Sequence, residues 1–153
     1  MQHPKTFWYK ILEKYFPSRC REVPEATDPN KILIRQFAIW KGRIYLQQFA
    51  SGENPGWLHS HPWKKGTIAI GLWGSVVDCQ VPGADQVRLY KAPYIRFMGP
   101  NHYHQTLDPS KGHTSIFIGL GEKTDFKYYL PKMEVFNLRK HWTTHIQKLV
   151  KRI

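Results

Sequence analysis

Beyond Asn30 the chain breaks into short runs rich in β-branched and aromatic residues: KILIRQFAIW, GRIYLQQFA, GTIAIGLW, SVVDCQV, QVRLY, YIRFM, HTSIFIGL and FKYYL. Gly or Pro stands at most of the breaks, among them Gly42, Gly66, Gly74, Pro93, Gly99, Pro109 and Gly112. Close, regular strands punctuated in this way are the texture of a β-sandwich or barrel and not of alternating βαβ units. An all-β body over residues 31–130 is therefore expected.

A helix is expected on each side of it. Phe7, Trp8, Ile11, Leu12, Tyr15 and Phe16 fall on one helical face and Pro17 stops the run, which places an N-terminal helix within residues 1–18. The stretch from Arg19 to Asn30 is rich in Pro, Asp and Glu and reads as an irregular connection. Near the other end Leu138, Trp142, Ile146, Leu149 and Val150 form one stripe, which predicts a basic C-terminal helix over residues 135–152 packed on the barrel. With 153 residues and no repeat or long linker, residues 1–153 are read as a single domain large enough to bury its own core.

Hydrophobic residues at 41% exclude a disordered chain, and no apolar run approaches the roughly 20 residues that would span a bilayer. The charged first segment, MQHPKTFWYKILEKYF, lacks the apolar centre of a signal peptide, so a cytoplasmic location is expected. Cys20 and Cys79 are far apart with no CxxC pairing, as free thiols in a reducing compartment would be. The formal net charge of +12 attracts polyanions. The excess is strongest where Lys132, Arg139, Lys140, Lys148, Lys151 and Arg152 face only Glu134, a segment that contacts nucleic acid or, more commonly for such runs, is a solvated basic face.

Chemistry is most visible in WLHSHPW, residues 57–63, and NHYHQTLD, residues 101–108. Side chains alternate along an extended strand, so Trp57, His59, His61 and Trp63 share one face, as do His102, His104 and Thr106. A first-row metal needs several N or O donors at roughly 2.0–2.2 Å; one HxH strand supplies two and a neighbouring strand a third. Two such alternations in a β-rich chain favour a metal site over partly exposed loop histidines. Trp57 and Trp63 either wall a substrate pocket or pack in the core, the commoner use of tryptophan. His113 reads as a turn residue after Gly112 in preference to an outer partner of a metal-binding histidine, and His3, His141 and His145 as surface residues of the terminal segments.

On these residues the chain resembles the cupin superfamily, over about residues 31–130, and within it small single-domain cupins with an HxHPW motif, here His59-Ser60-His61-Pro62-Trp63. The resemblance implies a jelly-roll barrel with metal ligands His59, His61 and His104, and His102 as alternate or fourth ligand. Gly99 favours His102 and the position of Asp108 favours His104; His104 leads straight into the QTL strand and is preferred. The usual first-motif Glu is absent, its place being held by Lys65 or Gly66, with Asp78 and Asp108 as substitutes elsewhere. A neutral three-histidine set resembles the thiol dioxygenase branch, which implies Fe(II), a non-haem dioxygenase-type oxidoreductase and a small-molecule substrate, with zinc, manganese or nickel as the other divalent ions such a site takes. Arg96 would hold an anionic substrate if Tyr94, Arg96 and Met98, and not Ile95 and Phe97, face inward. The resemblance also implies a homodimer through outer strands. The contrasting reading is a non-catalytic basic β-barrel binding module for a small anion, sugar, nucleotide or nucleic acid.

Overall fold

The computed structural model describes residues 2–25, 28–40, 42–51, 58–81, 86–124 and 127–129, with the backbone alone at several strand positions, including His59, Leu107 and Asp108. Trp57 and the whole of the expected C-terminal helix lie outside the described residues.

The body is β, as the punctuated runs require. Helix α1 (Phe7–Tyr15) and a 3₁₀ turn at Pro17–Arg19 precede strands β1 (Cys20–Glu25), β2 (Asp28–Trp40), β3 (Ile44–Phe49), β4 (Leu58–Ser60), β5 (Thr67–Trp73), β6 (Ser75–Val81), β7 (Gln86–Lys91), β8 (Tyr94–Met98), β9 (Tyr103–Pro109), β10 (Thr114–Gly119) and β11 (Lys127–Tyr129). Segment Arg19–Asn30, expected to be irregular, is instead mostly strand. β1 pairs antiparallel with β2, and its register shifts on both sides of Pro24. The proline has no N–H for the ladder, but β1 lies at the sheet edge, where that loss is tolerated.

The strands form two antiparallel sheets, ordered β1-β2-β3-β10-β5-β8 and β11-β4-β9-β6-β7. From β3 to β6 the chain passes from one sheet to the other at every connection, so β10 lies between β3 and β5 while β9 lies between β4 and β6. His59 on β4 is thereby set directly opposite His104 on β9.

Strand alternation sorts side chains between the two faces of the six-stranded sheet. Along β8, Ile95 is 78% and Phe97 61% exposed, while Met98 is buried, so Tyr94, Arg96 and Met98 form the inward set. The core joins Tyr45, Trp63, Ala69, Met98 and Phe117. Gly119 is what admits the Trp63 indole, because a Cβ there would overlap its ring.

Polar groups close one end of the body. The His3 amide donates to the Ala50 carbonyl (2.6 Å), and the His3 Nε2 donates to the Pro109 carbonyl (2.9 Å), so His3 anchors the N-terminal segment instead of lying free on the surface. Trp8 Nε1 donates to Thr114 Oγ1 (3.2 Å), and Gln48 Nε2 to the Pro4 carbonyl (2.6 Å).

His113, expected as a turn residue, does follow the turn at Gly112, but its side chain is fully buried. Its Nδ1 donates to the Trp73 carbonyl (2.9 Å), and the Tyr94 hydroxyl donates to its Nε2 (3.3 Å). Burial holds its pKa below the ordinary 6.5, partly offset by the bond to Trp73. The unfolded chain therefore takes up a proton that the folded one refuses. Stability contributed by neutral His113 is fully present above about pH 6.5 and is lost as the pH falls below it. Urea midpoints at pH 7.5 and 5 are expected to drop with acid, and to drop less in His113→Gln; an unchanged pH slope would contradict this.

Candidate metal centre

A cavity of about 370 Å³ lies among residues of both sheets. His61, Asp78, His104 and Thr106 line it from one side, and Arg96, Gln36, Gln47 and Ser115 from strands of the six-stranded sheet. Tyr45, Trp63, Ala69, Met98 and Phe117 complete an apolar floor.

His61 and His104 meet here. Their Nε2 atoms are 2.8 Å apart and their ring centroids 4.8 Å apart. His61 is further held edge-on against Phe117, at a centroid distance of 4.6 Å. His104 is buried, and its Nδ1 donates to Asp78 Oδ1 at 2.7 Å. That bond fixes the tautomer of neutral His104: Nδ1 carries the hydrogen and Nε2 presents its lone pair toward His61.

Asp78 is itself buried, with its second oxygen 2.6 Å from Arg96 Nη2. Burial alone would raise its pKa, but His104 and Arg96 together hold the carboxyl below its usual range. The same Nη2 donates to His102 Nε2 at 2.8 Å. Burial, and then the charge of Arg96, lower the His102 pKa to about 4, so this imidazole is neutral at pH 7 and accepts from the guanidinium. A continuous string results: His61, His104, Asp78, Arg96, His102. The guanidinium also lies over the Tyr90 ring, 4.9 Å from its centroid.

Two imidazole nitrogens this close either share one proton or turn both lone pairs toward one cation. Ligands each roughly 2.1 Å from an ion stand about 3.0–3.4 Å apart when adjacent in tetrahedral or octahedral geometry. Opening the pair by a few tenths of an ångström would admit a metal. The carboxylate behind His104 is the usual outer partner of a metal-binding histidine, which orients the ring and raises its basicity. His61 and His104 thus have the spacing of two of the donors that a divalent ion requires. Among the described residues no group of three His, Cys, Asp or Glu side chains is placed to hold one. The His59 side chain, expected as the third ligand, lies outside them.

The other expected site residues are distributed as follows. His102 is turned to Arg96 and does not line the cavity; its ring centroid is 5.8 Å from that of His104. Trp63 both lines the cavity and belongs to the core. Arg96 faces the cavity as one of the two orientations allowed, with its charge set against Asp78. Asp78 stands behind His104 and not beside His61. Arg21, Gln36 and Gln47 were not singled out from the sequence. Arg21 stood in a segment read as a connection, although the alternation in CREVPE around β-branched Val23 is a strand signal in retrospect. No family model matches this chain, and no curated protein does.

Proposed function

We propose that this chain is a metal-dependent protein of cupin jelly-roll type, a non-haem Fe(II) dioxygenase-type oxidoreductase acting on a small anionic molecule in the cavity. The observation that carries the reading is the Nε2 to Nε2 approach of His61 and His104, with the far nitrogen of His104 held by buried Asp78. The interleaved strand order of the two sheets supports the jelly-roll assignment, and the register of His59 opposite His104 supports His59 as third ligand.

His59, His61 and His104 would hold the ion. Bound iron would supply a Lewis-acidic, redox-active centre open to substrate and oxygen. The protein's own part is to orient and to exclude water. Asp78 keeps the His104 Nε2 lone pair directed at the site, and Arg96 keeps Asp78 ionised. Trp63, Phe117 and Met98 make the surroundings apolar, which strengthens every electrostatic contact made inside.

Anaerobic reconstitution of untagged protein with Fe(II), and in parallel with zinc, manganese and nickel, followed by elemental analysis and an oxygen-uptake screen, tests the reading. About one ion per chain is expected, with oxygen uptake for iron. Protein that retains none of the four metals would replace the enzyme with a metal-free binding module built on the same cavity.

A further inference from the structure

Across the inner wall of the six-stranded sheet runs a row of polar side chains that a metal site does not need. Arg21, Gln36, Gln47 and Ser115 are partners in register on β1, β2, β3 and β10. Each touches the next: Arg21 Nε donates to Gln36 Oε1 (2.8 Å), Gln36 Nε2 to Gln47 Oε1 (3.0 Å), and Gln47 Nε2 to Ser115 Oγ (3.4 Å). Gln47 and Ser115 are buried, and all four residues line the cavity. Amides inside a protein are costly unless their hydrogen bonds are made, so a barrel wall built for packing alone would carry apolar residues here.

What the row leaves over is donors. Beyond the bonds given, Gln36 and Gln47 each keep one amide hydrogen, Ser115 keeps its hydroxyl hydrogen, and Arg21 keeps the four N–H bonds of Nη1 and Nη2. The Arg21 guanidinium lies over the Tyr45 ring, 5.1 Å from its centroid, a contact that helps hold it at the cavity. Charge points the same way. Asp78 is the one carboxylate among the described lining residues, and it is paired with Arg96. Arg21 and Lys123, both exposed on the solvent side of the lining, have no ion-pair partner among the described residues.

We infer that this wall binds an oxyanion, the carboxylate or phosphate of a small ligand, with Arg21 as the anion-binding residue and Gln36, Gln47 and Ser115 as the row that orients it. The Nη1–Nη2 edge, left open because Nε is bonded to Gln36, offers two parallel N–H groups to such a group. The apolar remainder of the ligand then lies along Tyr45, Phe117 and Met98, toward His61 and His104. The inference rests on this cavity being the substrate chamber of the proposed metal site, but anion binding is measurable without metal.

Calorimetric titration of chelator-treated, full-length protein with benzoate, phenyl phosphate and neutral benzamide provides the test. Saturable binding of at least one anion is expected, with benzamide at least ten-fold weaker; the tighter anion identifies carboxylate or phosphate as the preferred group. Arg21→Gln should weaken the anion by about 10–100-fold, the loss of a charge-assisted pair, and erase its advantage over benzamide. Arg21→Lys, which keeps the charge without the fork, should fall between, and circular dichroism should show both variants folded. No saturable binding of either anion to wild-type protein, or equal affinities in folded Arg21→Gln, would overturn the inference. Metal content measured on the same preparations separates the two readings. Protein that binds the anion through Arg21 but takes up no metal supports the anion site and removes the oxygenase. Protein that takes up metal while Arg21→Gln binds the anion unchanged overturns the anion site alone.

Discussion

Replacing His104 with alanine is expected to reduce metal content after reconstitution to background while the strands stay in place. His104 is the residue through which the site is organised: its Nε2 faces His61 Nε2 at 2.8 Å and its Nδ1 is bonded to Asp78 at 2.7 Å. The variant therefore loses a proposed ligand and the link from Asp78 to the His61–His104 pair. His102→Ala is expected to keep its metal, because His102 Nε2 accepts from Arg96 and the ring does not line the cavity. Asp78→Asn keeps a hydrogen-bond acceptor for Nδ1 but not the charge, and should weaken metal binding by about 10–100-fold, the usual effect of altering an outer partner. Elemental analysis with far-UV circular dichroism checks all three. Metal retained by His104→Ala and lost by His102→Ala would move the ligand two residues upstream.

The second large effect is on folding. Asp78→Ala removes the carboxylate between Arg96 and His104, all three being largely buried, and leaves a guanidinium with no counter-charge and an imidazole N–H with no acceptor. Removing one member of a buried ion pair costs about 3–5 kcal/mol, chiefly because the remaining charge stays desolvated. A chemical denaturation curve should show a loss of that size. The double variant Asp78→Leu/Arg96→Met removes both charges and should recover most of it, since a buried pair replaced by apolar groups is often near neutral in stability. A double variant no more stable than Asp78→Ala would show that the damage comes from lost packing and not from an orphaned charge. The double variant should still bind metal poorly, because His104 has lost its orienting partner; this separates the role of Asp78 in the site from its role in the fold.

The β character of the body was legible because it rests on local signals. Runs such as TIAIGLW and TSIFIG alternate and end at glycines, and they appear as β5 and β10. β1 was missed for an equally local reason: Pro24 and the acidic residues around it argue for a connection, and pairing with the long β2 overrides that preference. His113 follows its turn as expected, but its burial was not legible because a turn glycine beside it says nothing of what packs over the turn; Trp73, Tyr94 and Phe49, all remote or semi-remote in sequence, surround its ring.

The candidate site divides along the same line. By itself the sequence determined that His59 and His61 alternate, that His102 and His104 do the same, and that both motifs sit among strands, because side-chain direction along a strand has a period of two residues. That period cannot distinguish His102 from His104, which it places on one face, nor choose which set of β8 residues turns inward. Only the tertiary structure decided these, through partners far away in the chain. Asp78 on β6 meets His104, Arg96 on β8 meets Asp78 and His102, and His61 after β4 meets His104. The row from Arg21 to Ser115 likewise exists only once four strands are in register. Hydrogen bonds and ion pairs of this kind act over about 3 Å, whereas the sequence separation of their members carries no information on their distance until the sheets have formed.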